Sequence, residues 1–260
     1  TSSSDFSPDF TERQHADLGP QRLAYSAQTN GAAPNIPGVV FCGGFRSDMG
    51  GTKAMALDAW AASRGQAFLR FDYFGHGQST GEFTDATVSH WRGDIPHMLD
   101  AVTQGPQILV GSSFGGWLST LAALDRPDTI TALVLIAPAI DMTERLMWDR
   151  FSPRAREKLE VKGLIYDPSE YDPEGYPITQ NLILDGRKHL LLDKKIDINI
   201  PVRILHGQQD TAVPWELSLE LAACLATDDV EMHFLKNGDH RLSEPHEITK
   251  LIGLIEGLLG

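Results

Sequence analysis

Gly111-Ser112-Ser113-Phe114-Gly115, set directly after the apolar run Gln107-Ile108-Leu109-Val110, has the G-x-S-x-G spacing of a sharp strand-to-helix turn that exposes a serine. Glycine is sterically required on both sides, because a Cβ there would crowd the following helix or the neighbouring strand. Centring the motif on Ser112 would put Val110 and Phe114 in the glycine positions, so Ser113 is the candidate nucleophile. A serine hydroxyl attacks only when a base takes its proton, and the base needs an acid to fix its tautomer. Two later segments supply those types in order. Asp210 ends His206-Gly207-Gln208-Gln209-Asp210 after the apolar run 202–205, and His240 lies in Gly238-Asp239-His240-Arg241 after the run 230–235. The expected catalytic triad is therefore Ser113, Asp210 and His240, with His206 holding the acid loop through hydrogen bonds.

Acyl transfer to a serine also needs donors for the developing oxyanion. The backbone N–H of Phe114, the residue after the nucleophile, is one expected donor of this oxyanion hole. The other is the N–H of Phe45 in Gly43-Gly44-Phe45-Arg46, after the apolar run 39–42. Arg46 is read as a substrate contact or a solvated surface charge. In Arg70-Phe71-Asp72-Tyr73-Phe74-Gly75-His76-Gly77-Gln78-Ser79, Asp72 and His76 are read as shaping the loop floor and are kept out of the site.

The elements that must hold these residues alternate along the chain. Strand signals at 39–42, 67–71, 108–110, 132–136, 202–205 and 230–235 are separated by helical patterns. Among the helices, one is expected from Thr52 to a C-cap at Gly65, one over 87–103 with Pro96 kinking it or near its start, and a last one from Ser243. This alternation predicts an α/β fold, a mostly parallel sheet with helices on both faces, whose active site lies at the carboxyl ends of the strands. All three candidate residues fall at such ends.

Composition limits the alternatives. At 260 residues, 42% hydrophobic and 22% charged, the chain fits one domain of the soluble globular class, residues 1–260. The longest apolar run, 130–140, is too short to span a bilayer, so no membrane span is expected. The start Thr1-Ser2-Ser3-Ser4-Asp5 lacks a basic region and an apolar run, so no signal peptide is expected. A net charge of −13 repels phosphate backbones and argues against nucleic acid. Two cysteines, Cys42 and Cys224, fit a reducing compartment, and without metal-ligand spacing no metal or organic cofactor is implied. The expected location is the cytoplasm, with the mitochondrial matrix after leader removal as the alternative.

Residues 141–195 break the alternation. This stretch holds Trp148, Phe151, Tyr166, Tyr171, Tyr176 and four prolines, and with 10 of the 22 Lys and Arg against 11 of the 35 Asp and Glu it is nearly neutral. So long an insertion in a compact domain is normally functional. It is read as a small helical cap over the site, with Trp148 and Tyr166 as pocket residues beside Arg46.

Gly51-Thr52-Lys53-Ala54, Arg70-Phe71-Asp72-Tyr73, the run from Gly105 to Leu118, Leu205-His206-Gly207, Val213-Pro214-Trp215 and Asp239-His240-Arg241 together resemble the α/β-hydrolase superfamily. The resemblance is to its branch of mitochondrial palmitoyl-protein thioesterases and acyl-glucuronide esterases, from about Gly38 to Arg241. It implies Ser113 as nucleophile, Asp210 as acid and His240 as base, and the chain is expected to be a bacterial relative of that branch. At Phe45, Arg46, Phe114 and in the cap the pattern departs, so chemistry is expected to transfer better than substrate. The expected function is a serine hydrolase that cleaves a carboxylic ester, a thioester or an S-acylated peptide with an apolar acyl group. A prolyl-type peptidase and a catalytically silent ligand- or partner-binding hydrolase fold are the alternatives.

Overall fold

The computed structural model describes residues 7–28, 36–169 and 172–259; Thr1 to Asp5 and Tyr171 lie outside the described residues. In chain order the main elements begin with β1 (Asp9–His15), β2 (Gly19–Gln28), β3 (Gly38–Cys42), α1 (Thr52–Arg64), β4 (Phe68–Phe71), α2 (Val88–Val102), β5 (Gln107–Ser112), α3 (Phe114–Asp125) and β6 (Ile130–Ile136). The insertion supplies α4 (Pro153–Lys162), β7 (Leu164–Ser169), β8 (Asp172–Thr179) and α5 (Gln180–Gly186). The chain then returns as β9 (Val202–Gly207), α6 (Glu216–Cys224), β10 (Val230–Leu235) and α7 (Pro245–Leu259).

Eight strands form one sheet in the order β1-β2-β4-β3-β5-β6-β9-β10. From β4 to β10 every pairing is parallel, while β1 and β2 form an antiparallel hairpin added at the β4 edge. A parallel sheet is covered on both faces, and β3, β4 and β5 are accordingly buried at every position. Alternate side chains of each strand enter two cores. Val39, Phe41, Ile108 and Val110 pack with Leu57 of α1 and Leu251 and Ile255 of α7. Val40, Cys42 and Leu109 pack with Trp91 and Ile95 of α2 and Trp117 of α3, in a core that continues into Leu159, Ile178 and Leu182 of the insertion.

Helix ends follow local chemistry. Gly65 closes α1 at φ 67, a left-handed position without strain for glycine. Thr87 and His90 form a reciprocal capping box on α2, and Pro96 sits inside that helix, not near its start. The last helix begins at Pro245, one residue beyond the start expected with Ser243 as its N-cap, because proline is pre-set for the first helical turn and the Glu247 carboxylate accepts the Glu244 N–H at 2.8 Å.

The insertion holds the expected helices and also an antiparallel hairpin, β7 with β8, in which Gly175 of β8 takes φ 77 where the register shifts opposite Asp167 and Ser169. Both of its ends meet at Asp141, whose carboxylate accepts the N–H groups of Leu191 and Leu192 at 2.8 and 3.0 Å. A second polar joint ties it to the body: Ser89 at the start of α2 gives its N–H and its hydroxyl to Asp185 at 2.7 and 2.9 Å. Among the described residues no helix is long and apolar enough to cross a membrane.

Candidate active site

β5 delivers Ser113 into a strained turn, with φ 54 and ψ −117, from which α3 starts at Phe114. Few L-residues adopt that conformation, and it persists because its surroundings over-determine it. The Ser113 N–H donates to the Ile136 carbonyl at 2.8 Å, and the Ser113 carbonyl accepts from Gly116 and Ala139. The steric requirement for glycine is concrete here. A Cβ at position 111 would lie 2.6 Å from Ser119 Oγ, and one at position 115 would run into the backbone carbonyls of Cys42 and Gly43.

The loop after β9 brings in Asp210, whose side chain is wholly buried. Its Oδ1 accepts the N–H groups of Ala212 and Val213 at 2.9 and 2.8 Å. Its Oδ2 accepts from His240 Nδ1 at 2.7 Å and from His206 Nε2 at 3.2 Å. His206 also lies 3.1 Å from the Val213 carbonyl through Nε2 and 2.7 Å from the Ser218 hydroxyl through Nδ1, partners that place its proton on Nε2. Burial would raise the Asp210 carboxyl, but the hydrogen bonds from His206 and His240 outweigh it and hold the group well below the usual carboxylate range. Asp210 is thus ionised wherever the protein is folded near neutrality.

His240 follows β10 on a turn in which the Asp239 carboxylate accepts the Arg241 and Leu242 N–H groups at 2.9 and 3.0 Å. With Nδ1–H given to Asp210, the neutral ring presents its Nε2 lone pair to Ser113 Oγ at 3.1 Å. That geometry can pass a proton from the hydroxyl to the ring and hold the resulting imidazolium beside a fixed carboxylate.

Across from the elbow runs the loop after β3. A Cβ on Gly44 would stand 3.6 Å from Ser113 Cβ, which measures how closely this backbone passes the serine. The Phe45 ring anchors it, edge-on to Phe83, Trp91, Phe114 and Tyr176 with centroids 5.0 to 5.8 Å away. Arg46 follows in the left-handed region at φ 59, its guanidinium 5.0 Å from the centre of the Phe83 ring.

Ser113 and His240 open into a cavity of about 700 Å³, bordered on the insertion side by Met142, Leu146 and Tyr176. Of the expected pocket residues, Arg46 lines this cavity and Trp148 and Tyr166 do not, which corrects the sequence reading. Trp148 is held between the guanidinium groups of Arg156 and Arg187, at 5.1 and 4.8 Å from its ring centre. On β7 the period of two turns Ile165 and Asp167 inward, leaving Tyr166 on the outer face at 58% exposure. Tyr176 of β8 takes the inward aromatic position. Lys53 and Asp167 also border the cavity; neither was assigned a place in the site, and nothing in the spacing of either residue points there. Asp141 serves the neck of the insertion and makes no bond to His240. Among the described residues no group of three or more His, Cys, Asp or Glu is placed to hold a metal ion.

A mostly parallel sheet with a serine on the elbow after β5, and Asp and His following later strands, defines an α/β-hydrolase. The sequence profile of the Hydrolase_4 family, described as serine aminopeptidase, S33, matches residues 35–175. The mitochondrial palmitoyl-protein thioesterase ABHD10 of Mus musculus is 42% identical over 226 residues, 86% of this chain and 75% of the relative. The Bos taurus protein of the same name is 40% identical over 226 residues, covering 86% and 73%. Among solved structures, a putative hydrolase from Agrobacterium vitis S4 superposes with a TM-score of 0.92 at 36% identity, over 98% of this chain and 99% of that one. Mouse alpha/beta hydrolase domain-containing protein 10 gives 0.85 at 39% identity, over 96% and 98%. The chain belongs to the Hydrolase_4 family of α/β-hydrolases and is a hydrolase.

Proposed function

We propose that this hydrolase cleaves carboxylic esters or thioesters carrying an apolar acyl group, through an acyl-Ser113 intermediate. The observation that carries the reading is the relay from Ser113 Oγ to His240 Nε2 at 3.1 Å and from His240 Nδ1 to Asp210 at 2.7 Å, bordering a cavity of about 700 Å³. His240 takes the Ser113 proton as the hydroxyl oxygen attacks the acyl carbon, and the tetrahedral oxyanion is met by the Phe45 and Phe114 N–H groups. Asp210 stabilises the imidazolium. His240 then gives its proton to the leaving alcohol or thiol, and a water activated by the same ring releases the acid.

The apolar acyl group is supported by Met142, Leu146 and Tyr176, and by a volume within the range of about 300–1,000 Å³ usual for ligand pockets. The thioester arm, and S-acylated peptides with it, is supported by the name of the ABHD10 relatives. A peptidase reading is favoured by the family description, but an aminopeptidase must hold a substrate ammonium. The charged groups bordering this cavity are Arg46, Lys53, Arg150 and Arg241 against Asp48 and Asp167, a surplus of the wrong sign. Two free cysteines, one of them buried, support a reducing compartment, either the cytoplasm or the mitochondrial location named for the relatives.

Kinetics on p-nitrophenyl esters of increasing chain length, acyl-CoA, S-acyl peptides and peptide p-nitroanilides test the reading, together with fluorophosphonate labelling. The expected result is labelling at Ser113 and turnover rising with acyl length on esters or thioesters. Hydrolysis of the anilides alone would replace it with the peptidase, and a protein inert to both probe and panel would be a silent hydrolase fold.

A further inference from the structure

The loop after β3 must present the Phe45 N–H while its next residue, Arg46, stays in a left-handed conformation that side chains other than glycine rarely adopt. Something outside the loop has to hold it. The holding groups come from the turn after β4. Asp72 Oδ1 accepts the Met49 N–H at 2.7 Å, at the far end of the loop. His76 Nε2 lies 3.1 Å from the Arg46 N–H, at the strained residue itself. His76 Nδ1 lies 3.1 Å from the Phe74 carbonyl, which can only accept, so the ring proton is on Nδ1 and the Nε2 lone pair receives Arg46. The ring is 4% exposed, packed against Tyr73, Phe83 and Trp91, and does not border the cavity.

We propose that His76 is a positioning residue for the oxyanion loop: its neutral Nε2 accepts the Arg46 amide and so keeps the Phe45 N–H aimed at the oxyanion over Ser113. This rests on the reading of Phe45 as a donor. A histidine fits the task because one ring both donates to Phe74 and accepts from Arg46, two bonds that together fix its orientation. Burial, opposed by the Phe74 carbonyl and reinforced by the Arg46 guanidinium, lowers its pKa to about 4, so the ring stays unprotonated while the enzyme works. The Phe45 ring packs against Phe83 and Trp91, two of the side chains that enclose His76, so the ring contacts and the hydrogen bond brace the same segment.

The test uses the full chain with a p-nitrophenyl ester and an alkyl trifluoromethyl ketone, whose serine adduct places an oxyanion in the same hole. His76→Phe keeps the ring packing and removes the acceptor; His76→Gln keeps an acceptor that reaches Arg46. For His76→Phe the expected result is a loss of kcat on the order of 10- to 100-fold, KM within about twofold, and weakening of the ketone by the same factor as kcat/KM. His76→Gln should recover most of the loss. If His76→Phe does not fold, His76→Asn, whose shorter side chain falls short of Arg46, takes its place with the same expectation. Unchanged kcat and ketone affinity, or a loss that His76→Gln fails to recover, overturns the role of His76. Ser113→Ala keeps the two failures apart: turnover surviving that change defeats the acyl-serine reading, whereas its disappearance beside a normal His76→Phe enzyme defeats only the inference about His76.

Discussion

The sheet and the insertion meet the same cavity with different engineering. Ser113, Asp210 and His240 stand on short turns at the ends of β5, β9 and β10, each locked by backbone hydrogen bonds. The insertion contributes Met142, Leu146 and Tyr176, side chains that touch by van der Waals contact and are held through a neck at Asp141 and a joint at Ser89 and Asp185. Reactive atoms need placement to within a fraction of an ångström, while an apolar wall needs only shape. Changes on the sheet side should therefore act on chemistry and changes on the insertion side on substrate choice.

The largest effect should come from Ser113→Ala, which is expected to lower turnover on the order of 10⁴- to 10⁶-fold and abolish fluorophosphonate labelling, while Ser112→Ala keeps most activity. Equal losses at the two serines would break the framing of the elbow. Next, Asp210→Asn should cost on the order of 10⁴-fold in kcat, the magnitude seen for the corresponding change in serine proteases. Asp141→Asn, also a buried carboxylate after a strand, should instead destabilise the insertion on the order of 1–3 kcal/mol, read as a lower urea midpoint, with kcat within about tenfold. A reversal of those two results would put the acid after β6.

On the insertion side, Leu146→Trp should fill the wall and lower kcat/KM for a long-chain ester on the order of 10²-fold while an acetate ester changes little. A uniform loss across chain lengths would show that the insertion supports the chemistry as well as the fit. The last expected effect falls on stability instead of rate, and it depends on pH. His76 binds its proton near pH 6.5 when unfolded and only near pH 4 when folded, so the unfolded chain holds more protons between those values. Stability is then complete above about pH 6.5 and falls as pH drops towards 4, by on the order of 3 kcal/mol. Urea unfolding at pH 7 and pH 4.5 reads this loss, and a folded His76→Phe protein should show a smaller drop between the two. An equal drop in both proteins would move the acid sensitivity to other groups.

What could be read from the chain divides along the same line. Ser113, Asp210 and His240 were legible because each follows an apolar strand within a few residues, so local spacing carries their position. The elbow glycines were legible for the same reason. The antiparallel hairpin of β1 and β2 was not: Asp-Phe-Thr-Glu-Arg-Gln-His carries little apolar signal, and the hairpin is held by partners some eighty residues away, Arg13 reaching Asp94 and the His90 carbonyl. Trp148 and Tyr166 were misplaced because aromatic content says that a segment packs, and only the strand register of β7 and the arginines flanking Trp148 say which way each ring turns. His76 was set aside because its spacing marks a glycine turn, and the bond to the Arg46 backbone links two loops thirty residues apart.

The neck at Asp141 has an evolutionary side. The chain leaves the sheet after β6 and returns within reach of one carboxylate, so everything between is a closed loop of nearly fixed span. Closure entropy grows only with the logarithm of loop length, about 0.6 kcal/mol for each doubling. Residues can thus be gained or lost inside that segment without shifting the pairing of β6 with β9, so the wall of the cavity can change by insertion and deletion while the turns that carry Ser113, Asp210 and His240 keep their places at the strand ends.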